Sequence, residues 1–261
     1  LTNVPVSQTF AAGLVPGLIF MVLLIAYVVW RCRNLERPCR ATSRARLKAF
    51  VEAIPALLTP LIVLGGIYLG LLTPSESAAA ASVWAMLLGF LVYRELTWSG
   101  VWETLQATAI TTTLIFSIIA MATFLSVILT YTGVPQQIVI FFLGFGLTQL
   151  SFLVVVGIIC LVLGTFLEVV PIFYLTIPIF LGVVASLGID VLHFYIVFVA
   201  FVGIGLLTPP VAVGVYTAAS VIREAPDRAL RAVPGFLLLG LIYAILMIAL
   251  PQAATLLPEL L

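Results

Sequence analysis

The chain has 261 residues, of which 64% are hydrophobic and 8% are charged, and its formal net charge is +1. Soluble domains carry about a quarter charged residues, so this composition excludes a soluble globular protein and indicates an integral membrane protein. No nucleophile elbow, phosphate-binding loop or pair of catalytic carboxylates is present, so no enzyme and no bound cofactor are predicted. The near-neutral charge gives no reason to expect a nucleic-acid partner.

The first apolar segment covers residues 10–30 and predicts a membrane span. Seven of the eleven basic residues lie between Arg31 and Lys48, and the positive-inside rule assigns that segment to the cytoplasm. Residues 44–56 predict an amphipathic helix, and residues 57–93 predict two spans that turn at a Thr-Pro step. We treat residues 1–261 as one membrane domain. Because the chain begins at Leu1 without a basic leader, we expect a fragment of a longer protein.

Residues 99–147 predict a long span followed by an interfacial helix. Residues 150–187 contain two short apolar arms around a polar tip, which favours a re-entrant hairpin over two full spans. Residues 190–222 are too long for one straight helix in a ~30 Å hydrocarbon core, so a broken span is predicted. Residues 233–256 predict the final span. If the hairpin re-enters the membrane, both basic segments fall on the cytoplasmic side.

The pentapeptide Gly-Leu-Leu-Thr-Pro occurs at Gly70–Pro74 and again at Gly205–Pro209. A Thr-Pro step interrupts a helix because proline lacks an N–H donor and disfavours helical geometry at the preceding residue. In the first copy, Thr73 and Glu76 match a capping box, which predicts a capped turn near the outer surface. The second copy falls inside an apolar segment, where breaks of this kind mark the binding sites of transporters.

The second break predicts a cation site formed by glycine carbonyls and a threonine hydroxyl. Its candidate residues are Gly203, Gly205, Thr208, Pro209 and Pro210. Unwound carbonyls and a hydroxyl are hard oxygen ligands suited to Na⁺. The alternative is a proline kink in which Thr208 caps a new helix that begins at Pro209.

The hairpin tip supplies three further candidates, and each has a structural alternative. Gly164 and Thr165 fit either an ion site or a helix-packing contact. Glu168, an acid between apolar residues, is a functional candidate by default, or a tip carboxylate that reaches water or a helix N-terminus. His193, beside Asp190 at a predicted membrane boundary, is expected to be interfacial and satisfied by water.

Several of these segments together resemble the large membrane subunit of TRAP transporters, the tripartite ATP-independent periplasmic transporters. The segments that carry the resemblance are Ala12–Gly17, Gly65–Tyr68 with Thr73–Ala80, Tyr93–Leu96, the Gly-Thr-Phe-Leu hairpin at Gly164–Leu167, Leu187–Asp190 and Gly203–Pro210. The resemblance covers essentially the whole chain and corresponds to the C-terminal part of a longer subunit.

The resemblance implies two inverted repeats, each with a re-entrant hairpin and a broken helix, that move as an elevator against a scaffold. It implies Na⁺-coupled import of organic acids, such as C4-dicarboxylates or sialic acid, by a multi-pass protein of the bacterial inner membrane. A periplasmic binding protein and a small membrane subunit are the expected partners. Carried over to this chain, the Na⁺ ligands are Gly164, Thr165, Gly203, Gly205 and Thr208, with Glu168, Pro209 and Pro210 on the substrate path.

Two positions depart from the family pattern. Glu168 is followed by Val169 where the family usually has Asp followed by Pro, and Ala212 stands where glycine is frequent. The first repeat is missing from the chain, so we expect no Na⁺-dependent uptake by these residues alone. Two other functions stay open: another ion-coupled elevator anion transporter, and a membrane scaffold subunit that transports nothing.

Overall fold

The computed structural model describes residues 4–33, 42–223 and 225–258, and every regular element in these ranges is helical. The α-helices are α1 Val6–Arg31, α2 Ser43–Tyr68, α3 Pro74–Leu87, α4 Trp98–Tyr131, α5 Val134–Gly144, α6 Gln149–Gly164, α7 Val169–Ser186, α8 Val191–Leu207, α9 Val213–Ile222, α10 Pro226–Ala249 and α11 Gln252–Thr255. Within these ranges, α1, α2, α3 with its π-helical continuation to Val92, α4, α7 and α10 are long and apolar enough to cross a membrane. The predicted all-α polytopic class is confirmed.

The chain divides into two compact units, where the sequence analysis treats it as one domain. One unit comprises Leu1–Arg33 with Leu114–Leu261, and the other comprises Asn34–Thr113. Arg37 and Arg40 of the predicted basic segment lie outside the described residues.

The smaller unit contains α2 packed against α3. The predicted capping box is confirmed: Glu76 N donates to Thr73 Oγ1 at 3.3 Å, and Thr73 N donates to Glu76 Oε2 at 2.7 Å. The Gly70–Pro74 copy of the pentapeptide is therefore a capped turn between two helices.

In α2 the structure has one helix where the sequence analysis separates an amphipathic helix at 44–56 from a span that starts at residue 57. Pro55 and Pro60 lie inside this helix. Each proline removes one backbone hydrogen bond, and the flanking turns maintain the helix across it. The Trp84 indole of α3 donates to the Pro55 carbonyl at 3.1 Å, which holds α3 against this part of α2.

The larger unit is organised around α8, which packs against both α6 and α10. Its core holds the fully buried side chains Phe152, Val156, Ile172, Val183, Phe194, Val197, Phe198, Val202 and Met247. All of them are apolar, so close van der Waals packing holds these helices together, because lipid tails are as apolar as this core and burial alone gives no driving force.

Helices α6 and α7 form a hairpin. The Gln149 side-chain amide at the start of α6 donates to the Leu187 carbonyl at the end of α7, at 2.8 Å. Residues 165–168 connect the other ends of the two helices. At ~1.5 Å per residue, the 16 residues of α6 span about 24 Å, less than a ~30 Å hydrocarbon core. Re-entry of this hairpin from one side of the membrane stays a prediction.

The segment from Val191 to Ile222 consists of two helices, α8 and α9, separated by residues 208–212. Thr208 ends α8, and Ala212 precedes α9 with φ 45° and ψ 45°. The alternative in which Thr208 caps a helix that begins at Pro209 is wrong. The next helix, α9, begins four residues after Pro209, at Val213.

His193 lies inside the larger unit, with 5% of its surface exposed, so the expectation of a water-satisfied histidine is wrong, while its position at the membrane interface stays a prediction. Its Nε2 atom lies 2.9 Å from the Met247 carbonyl near the end of α10. Pro251 stands four residues after Met247 and has no N–H to donate, so the imidazole replaces the missing helical hydrogen bond.

Candidate functional site

Helices α6 and α8 run parallel, so their C-terminal ends lie together. Phe152 and Phe194 stack at the start of the two helices, with ring centroids 6.4 Å apart. Further along, the Phe201 ring covers the Cα of Gly157, where an added Cβ would lie 2.5 Å from the ring. At the C-terminal ends Gly164 meets Gly205. The hairpin makes this arrangement possible, because α7 returns the chain before α8 runs back along α6.

The contact between Gly164 and Gly205 is a contact of backbone with backbone. A Cβ added to Gly164 would lie 2.9 Å from Gly205 Cα, and a Cβ added to Gly205 would lie 2.6 Å from Leu161 O and 2.7 Å from Gly164 Cα. These distances are shorter than any side chain allows, so only glycine permits the approach. The tip of the hairpin and the end of the first half of the broken helix therefore touch.

Two threonine hydroxyls follow the glycines at the ends of these helices. Thr165 Oγ1 donates to Val162 O at 2.8 Å, and Thr208 Oγ1 donates to Ile204 O at 2.8 Å. Each hydroxyl uses its hydrogen on the last turn of its own helix and keeps its lone pairs as acceptors. Thr165 is buried, and Thr208 is partly exposed.

Two backbone carbonyls at the end of α8 lack their usual helical N–H donors, because prolines stand four residues after them. Pro209 and Pro210 cannot donate to the carbonyls of Gly205 and Leu206, four residues earlier. Gly205 O accepts from Thr208 N at 2.9 Å instead. Across the described part of the chain, no backbone N–H outside the regular helices donates to Leu206 O or Gly164 O.

The electrostatics of the junction favour a cation. Each helix carries about half a negative charge at its C-terminal end, and here two such ends lie side by side. No group of three or more His, Cys, Asp or Glu side chains suited to a metal ion occurs within the described ranges. The oxygens offered at this place are backbone carbonyls and the two threonine hydroxyls.

Gly203 is separated from this junction. It lies two residues before Gly205, on the opposite side of the helix, and a Cβ added to it meets no atom within 4 Å. Together with Phe10, Gly13 and Gly17 of α1, it lines an open apolar groove of about 670 Å³. The structure thus brings Gly164 and Gly205 together, with Thr165 and Thr208 after them, and places Gly203 on another face.

The three residues predicted for the substrate path lie in the two connections next to the junction. Glu168 occupies the N-cap position of α7, is exposed and makes no side-chain capping bond. Its carboxylate is therefore not covered by the rest of the described chain, and it leaves the N-terminus of α7 without a side-chain cap. Pro209 and Pro210 are exposed and joined by a cis peptide bond.

Two functionally informative contacts have no counterpart in the sequence predictions. The Gly157–Phe201 contact sets the register of α6 on α8, and the only hint is a glycine seven residues before Gly164 on the same helix face. The His193–Met247 contact ties α8 to α10, and Pro251 is its only signal, because the proline leaves the Met247 carbonyl without a donor.

An all-helical bundle with a hairpin and an interrupted helix that meet through their backbones defines a polytopic membrane protein of the transporter class. The family model of the tripartite ATP-independent periplasmic transporter, DctM component, matches residues 1–253. The chain belongs to this family, and it is a multi-pass protein of the bacterial inner membrane.

Three relatives show the range of named solutes. The C4-dicarboxylate TRAP transporter large permease protein of Pseudomonas aeruginosa is 33% identical over 99% of this chain and 61% of its own length. The sialic acid TRAP transporter large permease protein of Vibrio cholerae is 33% identical over 100% of this chain and 61% of its own length. The isethionate TRAP transporter permease protein of Oleidesulfovibrio alaskensis is 33% identical over 93% of this chain and 38% of its own length.

The chain therefore spans about three-fifths of the length of the first two of these relatives, 61% in both cases. All three are named as permeases, which move solutes and catalyse no covalent chemistry. Membership of this family excludes the alternative of a different transporter family.

Proposed function

We propose that this chain provides one cation site of a Na⁺-coupled importer of organic acids. A periplasmic binding protein delivers the solute, and a small membrane subunit completes the complex. The observation that carries the proposal is the meeting of two parallel helix ends through Gly164 and Gly205, with carbonyls that lack helical donors. Such an arrangement concentrates neutral oxygen atoms at a point of negative potential.

The chemistry of these oxygens supports Na⁺ over a divalent ion. Ca²⁺ and Mg²⁺ sites are built around carboxylates, whereas the nearest acid in the chain, Glu168, is exposed and four residues beyond Gly164. Carbonyls and hydroxyls with no net charge suit a monovalent hard cation, as at the unwound helices of secondary transporters. Gly164, Thr165, Gly205 and Thr208 would form the site. Gly203 would support it only through its position in α8.

The break that follows α8 supports binding of an anionic solute beside the cation. α9 begins at Val213, and its N-terminal end carries a partial positive charge directed toward residues 208–212. A carboxylate near that end would be attracted by the helix and by a bound Na⁺. The named solutes of the relatives include C4-dicarboxylates and sialic acid, which carry carboxylates, so we propose solutes of this class.

Coupling follows if the bound cation and the solute stabilise the same backbone conformation. An ion that bridges the ends of α6 and α8 would hold residues 208–212 in the form that accepts the solute. Each ligand would then raise the affinity for the other by the same factor. Movement of the loaded unit as an elevator is part of this proposal.

The test is uptake by the complete subunit reconstituted with its binding protein and small membrane subunit. We expect Thr208→Val to remove most Na⁺ stimulation of solute uptake, because the valine keeps the shape and loses the oxygen. Thr208→Ser should retain it. Thr123→Val is the matched control, because that threonine also bonds the carbonyl four residues earlier but lies on exposed α4.

The same experiment separates a transporter from a scaffold subunit. A scaffold would tolerate Thr208→Val and Gly205→Ala without any change in Na⁺ dependence. Na⁺-stimulated uptake at the wild-type level in Thr208→Val would refute the cation site.

A further inference from the structure

A second, smaller groove lies between α1 and α10, close to the predicted cytoplasmic end of both helices. It has a volume of about 400 Å³. Helix α1 lines it with Tyr27, Trp30 and Arg31, and α10 lines it with Gly235, Leu238 and Ile242. The groove is apolar along its length and carries a charge at one end only.

The register of the two helices places a second arginine at the charged end. Phe20 contacts Tyr243 with ring centroids 4.8 Å apart, and Tyr27 contacts Phe236 at 5.2 Å, so α1 and α10 are antiparallel. Four residues beyond Tyr27 stands Arg31, and four residues before Gly235 stands Arg231. Residues four apart share a helix face, so Arg231 continues the face that lines the groove.

Neither arginine is neutralised by a described neighbour. Both side chains are exposed, and the ion pair found in the described ranges is Lys48 with Glu52, at 3.8 Å. The positive-inside rule assigns this end of α1 and α10 to the cytoplasm. At that depth the anionic phosphates of the inner leaflet are the abundant negative charges.

The aromatic residues complete the pattern of an interfacial site. Trp30 is 70% exposed beside Arg31, and Tyr27 places its hydroxyl against Gly235, where a side chain would have no room. Tryptophan and tyrosine prefer the level of the headgroups, between water and hydrocarbon. Along the groove, the charged end, the aromatic residues and the apolar lining therefore follow one another in the same order as the phosphate, glycerol and acyl chain of a phospholipid.

We infer that this groove binds one anionic phospholipid, with its phosphate between Arg31 and Arg231 and an acyl chain along Leu238 and Ile242. The inference is independent of the Na⁺ site and of the transported solute. It commits to a lipid, because a free phosphate would gain nothing from the apolar floor of the groove.

The test uses the fluorescence of Trp30 in the full chain in detergent micelles. Dibrominated phosphatidylglycerol or dibrominated phosphatidylcholine is titrated, and the signal lost in Trp30→Phe defines the Trp30 component. We expect half-maximal quenching at an about tenfold lower concentration of the anionic lipid, since each basic residue near such a headgroup adds to the affinity.

Two double variants with equal loss of charge show where that preference resides. Arg31→Gln with Arg231→Gln should reduce the preference for phosphatidylglycerol over phosphatidylcholine to within about twofold. Arg44→Gln with Arg46→Gln, on α2, should leave that preference at about tenfold. Equal quenching by both lipids, or equal effects of the two double variants, would overturn the inference. So would displacement of the lipid by glycerophosphate, or loss of the Trp30 signal when the small membrane subunit is added.

Discussion

At the scale of single residues, the most consequential feature is a pair of glycines that differ only in the face of α8 they occupy. Gly205 touches the backbone of α6, and Gly203 faces open space. A glycine-to-alanine substitution is therefore expected to affect stability differently at positions 205 and 203.

We expect Gly205→Ala to destabilise the larger unit by about 1–3 kcal/mol, because the added methyl group would press on Leu161 O and Gly164 Cα. The measurement is thermal unfolding of the purified protein in detergent. Gly203→Ala is the matched control and should not destabilise the unit, because its added methyl group meets no atom within 4 Å and alanine is favoured over glycine inside a helix by about 0.5–1 kcal/mol. Equal melting temperatures for the two variants would contradict the backbone contact.

His193 is the second residue with a role set by its surroundings. His193→Ala would leave the Met247 carbonyl buried without a donor, at a cost of about 1–3 kcal/mol. In a Pro251→Ala background, residue 251 gains an N–H that can bond the Met247 carbonyl, so the same substitution should cost less. Thermal unfolding of the four proteins in this double-mutant cycle gives the coupling, and additive effects would contradict the capping role.

At the scale of elements, the joint between α8 and α9 depends on a residue with an unfavourable backbone conformation. Ala212 has φ 45° and is 1% exposed. A left-handed conformation costs an L-residue about 1–2 kcal/mol and costs glycine almost nothing.

We expect Ala212→Gly to stabilise the protein by roughly 0.5–1 kcal/mol. Glycine relieves the backbone strain of the folded state, and this gain outweighs the extra conformational entropy that a glycine loses on folding. Ala218→Gly, an exposed position inside α9, should instead destabilise it by about 1 kcal/mol. Unfolding measurements on both variants give the signs. Destabilisation by Ala212→Gly would contradict the left-handed joint.

At the scale of the whole molecule, a bound cation that joins the ends of α6 and α8 would link the hairpin to the broken helix. Because a ligand that binds only the folded state stabilises it, Na⁺ should raise the melting temperature in a concentration-dependent way. At a hundredfold excess over the dissociation constant the gain is about 2.7 kcal/mol. The measurement is a melting series in NaCl against choline chloride at constant ionic strength.

The Thr208→Val variant is the control for this prediction. It should melt at the same temperature in both salts, while Thr123→Val should keep the wild-type response to Na⁺. A Na⁺ response that persists in Thr208→Val would place the ion elsewhere in the protein.

Much of the fold was predictable because the decisive signals are local. Composition indicated the membrane, and proline marked the interruption after Leu207. The spacing of Thr73 and Glu76 specified a capping box that the structure contains. In each case the physical cause, a missing N–H or a reachable side-chain oxygen, acts within four residues along the chain.

The site was predictable only in part. Gly164 and Gly205 were both candidates, but nothing in the sequence distinguished Gly205 from Gly203, since that difference arises from how α8 packs on α6. His193 was expected at an interface because its neighbours in sequence suggest a membrane boundary. Its burial follows from α10, whose Met247 lies 54 residues away in the chain.

The sequence by itself determined the membrane class, the family and the two positions where Gly-Leu-Leu-Thr-Pro interrupts a helix. Tertiary structure decided what each interruption does. The first copy is a capped turn between α2 and α3, satisfied by its own side chains. In the second copy, two prolines end α8 because they cannot donate to the carbonyls four residues earlier, and only the packing of α6 on α8 brings Gly205 against Gly164.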